Sequence, residues 1–289
     1  MTYAFDLADT DLTASLRRIA TEELASALAR LDQIDAPRAV HGIRKNLKKT
    51  RALLRLVRSG LAEQPAANQT LREVGLALSA RRDAAVRLAT LDRLFPDRPE
   101  PMQGLYSVLA LPGPDLVAEP VGALRERLIS VLDKVQGWSL SGKDTRILRA
   151  GLADTRAKAL RTARAARRSP HLDEAFHDWR KRAKDFWYQS RLFAPVWPDL
   201  FAPLVASADR LGEMLGDHHD LAVLRAHVAA LPDAQVPDLT RQMLARRLDA
   251  AQAEIEARAF PLSARLFAGD PEAIARIWTD WRRIWRENA

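Results

Sequence analysis

Residues 41–55 read His41-Gly-Ile-Arg44-Lys45-Asn-Leu-Lys48-Lys49-Thr-Arg51-Ala-Leu-Leu-Arg55, and residues 177–191 read His177-Asp-Trp-Arg180-Lys181-Arg-Ala-Lys184-Asp-Phe-Trp-Tyr-Gln-Ser-Arg191. With the two histidines aligned, basic residues coincide at +3, +4, +7 and +14. A helix turns by about 100° per residue, so these positions share one face within an arc of about 100°. Each copy is therefore a helix that presents a row of cations headed by a histidine. The opposite side of the first copy carries Ile43, Leu47, Leu54 and Val57, a stripe suited to a core.

Outward from these rows the helical period continues along nearly the whole chain. The pattern predicts helices over 12–34, 38–60, 68–94, 120–136, 143–168, 172–193, 198–231, 236–258 and 270–287, with a short one around 102–110. No segment alternates apolar and polar residues between turn dipeptides, so a substantial sheet is not expected. Pro and Gly cluster between 96 and 120, the best boundary in the chain. The expected division is 1–118 and 119–289.

A second pair of segments supports a duplication. Residues 78–86 read Leu-Ser-Ala-Arg81-Arg82-Asp83-Ala-Ala-Val86, and residues 215–223 read Leu-Gly-Asp-His218-His219-Asp220-Leu-Ala-Val223. The offset is 137 here and 136 between the histidine-led helices. Near-constant spacing over two motifs predicts two homologous helical halves, and short loops favour antiparallel packing. Such a pair can bring both basic faces onto one groove.

The charge distribution points the same way. Residues 41–58 hold seven Lys/Arg and no acid, residues 156–168 hold six and no acid, and residues 177–191 hold five against Asp178 and Asp185. The formal net charge is +8, so the remainder of the chain is acidic. A concentrated positive site on an acidic background attracts an anionic ligand. On the 143–168 helix the cations do not all share a face, and Lys158, Arg161, Arg164 and Arg168 are the best candidates to join a groove. A histidine among so many cations resists protonation until an anion is bound.

Several classes of chemistry are disfavoured. There is no cysteine, hence no disulfide or thiol chemistry. His218 and His219 are adjacent, and neighbours on a helix point about 100° apart, which is poor for chelation; no metal and no cofactor are expected. No Gly-rich phosphate loop, nucleophile elbow or carboxylate pair occurs, so catalysis is not expected. Trp278, Trp281 and Trp285 at i, i+3 and i+7 read as core packing rather than a stacking platform. The N-terminus carries Asp6, Asp9 and Asp11 rather than a signal pattern, and no apolar run nears the ~18 residues of a membrane span. A soluble, cytoplasmic protein with no membrane partner is the expectation.

The Val40-His41, Arg44, Lys48-Lys49, Arg51 motif, Leu16-Arg17-Arg18-Ile19, Phe176-His177-Asp178-Trp179-Arg180-Lys181 and Leu215-Gly216-Asp217-His218-His219-Asp220 together resemble the signatures of the CHAD domain, the conserved-histidine α-helical domain family. The resemblance implies an all-α fold of two pseudo-symmetric four-helix bundles with a basic surface or channel between or along them. It implies binding of inorganic polyphosphate and, for some members, association with polyphosphate granules. The residues expected to contact polyphosphate are His41, Arg44, Lys45, Lys48, Lys49, Arg51, Arg55, Arg82, Lys158, Arg161, Arg164, Arg168, His177, Arg180, Lys181, Lys184, Arg191 and His219. Arg81-Arg82 stands where the second half has His218-His219, a departure that bears on whether both halves bind equally. A nucleic-acid-binding helical protein is the alternative, with an enzyme acting on phosphorylated metabolites behind it.

Overall fold

The structure, a computed structural model, describes residues 3–36, 38–78, 83–110, 119–169 and 172–288. The described residues form eleven α-helices and no strand. They are α1 (Leu12–Leu31), α2 (Ala39–Leu56), α3 (Gln64–Ala77), α4 (Asp83–Leu94), α5 (Glu100–Ala110), α6 (Val121–Val135), α7 (Asp144–Arg168), α8 (Asp173–Leu192), α9 (Pro198–Ala229), α10 (Asp238–Leu266) and α11 (Pro271–Glu287).

The helices close into two four-membered circuits. In the first, α1 packs on α2, α2 on α3, α3 on α6 and α6 back on α1; in the second, α7, α8, α9 and α10 follow the same cycle. α11 lies on α7, and α4 with α5 lies on α9 and α10. The all-α fold of paired four-helix bundles is thus as expected. Three details differ from the sequence pattern, one being that the helix expected over 236–258 runs on to Leu266 as α10. The predicted helix 68–94 is two helices, because α3 serves α2 and α6 whereas α4 serves α5 and α9. α6 lies beyond the Pro/Gly-rich segment, yet it closes the first circuit.

Local sequence accounts for the elements. Asp11 caps α1, its Oδ1 accepting from Ala14 N at 2.7 Å. Leu12, Leu16, Ile19, Leu24 and Leu31 then bury one face, and Ile43, Leu47, Leu54 and Val57 do the same around α2. A single apolar core runs through both circuits, from Leu16 on α1 to Trp278 on α11. Trp278 is ringed by Phe186, Phe193 and Phe201, with centroids 4.7 to 5.9 Å away. A second, smaller core joins α4 and α5 to α9 and α10.

The junction between the circuits is α2 against α7 and α8. Gly151 of α7 makes the approach close: a Cβ there would stand 1.9 Å from the Leu56 carbonyl oxygen. No described helix is long and apolar enough to cross a membrane.

Candidate anion-binding groove

Where α2 faces α8, a groove of about 340 Å³ opens. From α2 it receives Arg44, Lys48, Arg51 and Arg55, and from α8 His177, Arg180, Lys181, Arg182 and Lys184; α3 adds Arg72. The α2 cations follow i, i+4, i+7 and i+11, the same helical stripe, because the opposite stripe is held in the core. Asp185 is the acidic side chain in the lining.

Several of these cations are fixed in place. Arg44 Nη1 donates to the Gly75 carbonyl at 2.6 Å, and Arg51 Nε to Asn68 Oδ1 at 3.2 Å. Arg55 Nη1 lies 2.6 Å from Asp185 Oδ1, and Arg182 Nη1 lies 3.0 Å from Asp185 Oδ2. Burial and the adjacent Arg55 lower the Arg51 guanidinium to about 10, with Arg72 and Arg182 adding to the repulsion. Lys184 passes over Gly212, where a Cβ would come within 2.7 Å of its Cε, and reaches Glu213 at 2.7 Å. That bond, aided by Arg180 and His41, holds the Glu213 carboxyl below its ordinary range. Lys181 pairs with Asp178 at 2.9 Å on the exposed rim.

His177 lines the groove, and His219 lies behind it. The His177 and His219 rings stack, centroids 4.6 Å apart. Burial lowers His219 to about 4, with Arg180, His177, His218 and Lys181 pushing the same way. Burial and then Lys181 and Arg180 lower His177. Both rings are therefore neutral near neutral pH, and an anion beside them would raise both. His218 instead faces the core, stacked on Phe176 at 4.0 Å with Nε2 3.2 Å from Glu256 Oε1. Among the described residues no group of three or more His, Asp or Glu side chains is placed to hold a metal ion.

Arg44, Lys48, Arg51, Arg55, His177, Arg180, Lys181 and Lys184 are thus brought together as the sequence pattern expects, with His219 stacked behind His177. Others are placed elsewhere. Lys49 turns inward, 2.6 Å from the buried Glu23, which also takes a bond from Asn46. Arg191 stacks between Tyr3 and Trp187 at 5.7 and 5.3 Å. His41 and Lys45 are exposed on the first turns of α2, outside the lining. On α7, Lys158 pairs with Asp154, and Arg161, Arg164 and Arg168 are exposed away from the groove, because α7 turns its other side to α8 and α2. Arg82 lies outside the described residues. Arg72, Arg182 and Asp185 were not expected. Arg182 and Asp185 fall off the repeated stripe, and Arg72 comes from a helix without a basic run.

A family model described as the CHAD domain matches residues 12–229. Among solved structures, the crystal structure of the CHAD domain from the plant Ricinus communis is similar over 96% of this chain and 94% of its own, at TM-score 0.59 and 20% identity. PptA from Streptomyces chartreusis is similar over 88% of this chain and 99% of its own, at TM-score 0.60 and 16% identity. At such identities the likeness is one of fold. Comparison by sequence with curated proteins gave no match.

Proposed function

The chain belongs to the CHAD domain family, and from that premise we propose that it binds inorganic polyphosphate in the groove between α2 and α8, as a binding protein with no reaction of its own. The observation that carries this reading is the convergence of Arg44, Lys48, Arg51 and Arg55 from one circuit on Arg180, Lys181, Arg182 and Lys184 from the other. A linear chain of phosphates meets cations on both walls, guanidinium groups forking onto paired oxygens and ammonium groups acting as point charges.

Two features favour polyphosphate over nucleic acid and over catalysis. Base stacking calls for exposed aromatic faces, whereas Trp179 and Tyr188 are buried and Trp187 is covered by Lys184 at 4.4 Å. Phosphoanhydride cleavage calls for carboxylates able to act as base or metal ligand, whereas Asp185 is committed to Arg55 and Arg182. The same contact would carry the protein to polyphosphate granules where a cell forms them.

The test is competition. Long-chain polyphosphate binding is measured with duplex and single-stranded nucleic acid present at equal phosphate concentration. Polyphosphate should stay bound, and its affinity should fall steeply with salt as counterions are released. Displacement by nucleic acid overturns the reading. Arg44→Glu with Arg180→Glu should abolish binding while helicity by circular dichroism is retained.

A further inference from the structure

We propose that Arg161, Arg164 and Arg168 on α7 form a second phosphate track, on which a long polyphosphate chain continues once it has filled the groove. The inference rests on the groove being the polyphosphate site, and adds to it a physical basis for preferring long chains.

The three residues fall at i, i+3 and i+7, within an arc of about 60° by helical rotation and over about 10 Å of helix axis. All three are exposed. Ala157 and Ala165 lie on the same side of the helix, so small side chains leave the guanidinium groups uncovered. Among the described residues none of the three makes an ion pair or a side-chain hydrogen bond. Arg93 and Arg283, also exposed, are by contrast neutralised by Asp217 and Glu287. On α7 itself, Asp154 pairs with Arg58 and Lys158, and no Asp or Glu follows it up to Arg168.

The ordinary alternative is that basic residues near a helix C-terminus complement its dipole. That effect fades within the last turn. It accounts for Arg168, and not for Arg164 or Arg161 one and two turns earlier. Arg167, off this row, lies over the Phe260 ring at 5.7 Å, so the helix end already has a cation with a structural role. Arg168, the last residue of the row, is also the last of α7, and the next helix enters the groove within its first turns. α7 packs along α8, and α8 begins at Asp173 with His177 at the groove one turn in.

The test compares two ligands on three proteins. Tripolyphosphate probes the groove alone, and long-chain polyphosphate probes groove and track. Arg161→Gln/Arg164→Gln/Arg168→Gln should bind tripolyphosphate as the wild type does. It should bind the long chain more weakly, with the slope of log K against log salt reduced by roughly 2, the single-strand value for three lost contacts. A control, Arg146→Gln/Arg246→Gln/Arg276→Gln, removes the same charge from exposed positions on α7, α10 and α11. Unchanged long-chain binding in the first variant overturns the proposal. So does an equal loss in the control, or an equal loss for both ligands. Failure of the wild type to bind either ligand is a different result, and removes the groove reading itself.

Discussion

Arg55 on α2 and Asp185 on α8 meet at 2.6 Å, and this pair ties the two helical circuits together in the lining of the groove. The Asp185 side chain is only 7% exposed and its second oxygen faces Arg182 at 3.0 Å. Asp185 thus restrains the mutual repulsion of Arg51, Arg55 and Arg182 while subtracting charge from the groove.

Asp185→Asn should therefore act in opposite directions on stability and on binding. Without ligand the variant should unfold more easily, by about 1–3 kcal/mol, since the arginines it abandons keep some solvent. With polyphosphate the deficit should shrink, because phosphate takes over the arginines, and affinity should rise. Urea unfolding with and without polyphosphate reads both signs. A variant that is as stable as wild type, or that binds more weakly, contradicts this account of Asp185.

The stacked histidines predict a pH dependence. Both titrate near 6.5 in the unfolded chain, whereas folding lowers His219 to about 4 and lowers His177. Between about 4 and 6.5 the unfolded chain binds more protons, so stability is full above pH 6.5 and is lost as pH falls through that window. Bound polyphosphate reverses the sign locally, since its charge favours the imidazolium. Affinity should rise as pH falls below 6.5, by up to about tenfold per unit for each histidine that takes up a proton. Calorimetry in buffers of different ionisation enthalpy should show net proton uptake. His177→Asn with His219→Asn should flatten the profile; an unaltered profile would assign the effect elsewhere.

Lys48 and Lys49 are neighbours in sequence with separate roles. Lys48 lines the groove, and Lys49 is held with Asn46 on Glu23, whose side chain is 9% exposed. Lys48→Gln should weaken polyphosphate binding and leave the unfolding midpoint nearly unchanged. Lys49→Gln should leave binding nearly unchanged and cost about 1–3 kcal/mol, because it strips a buried carboxylate of its charged partner. Titration and thermal unfolding of both variants separate the two; equal binding losses would mean that Lys49 reaches the ligand.

The helices and the two basic rows were legible in the sequence because both rest on one periodicity. A helix that buries Ile43, Leu47 and Leu54 must present Arg44, Lys48, Arg51 and Arg55 outward. Periodicity does not say what stands opposite. Lys49 and Asp185 occupy the same place, +8 from their histidines. One turns to Glu23 within its own circuit and the other to Arg55 across the groove. Both partners are set by tertiary packing, and an aligned row of charges cannot display that. The same holds for α7, whose cations form a regular row on a helix that turns its opposite side to α2 and α8.

The closeness of that packing gives a last prediction, at Gly151. A helical Gly→Ala substitution ordinarily gains up to about 1 kcal/mol, because alanine loses less backbone freedom. At Gly151 the new Cβ would stand 1.9 Å from Leu56 O and 2.6 Å from Leu56 C. These are backbone atoms of another helix, so no rotamer change relieves the overlap and α7 must move away from α2. Overpacking of this kind costs about 1–3 kcal/mol or more, so Gly151→Ala should destabilise despite the better helix former. Gly104 on α5 is the contrast: no atom lies within 4 Å of a Cβ there, and the same substitution should stabilise by about 0.5–1 kcal/mol. Because α2 carries one wall of the groove, its displacement by Gly151→Ala should also weaken polyphosphate binding, whereas Gly104→Ala should not. Urea unfolding and polyphosphate titration of the two proteins check both signs, and a Gly151→Ala protein as stable and as tightly binding as wild type would show that the α2–α7 contact does not set the groove.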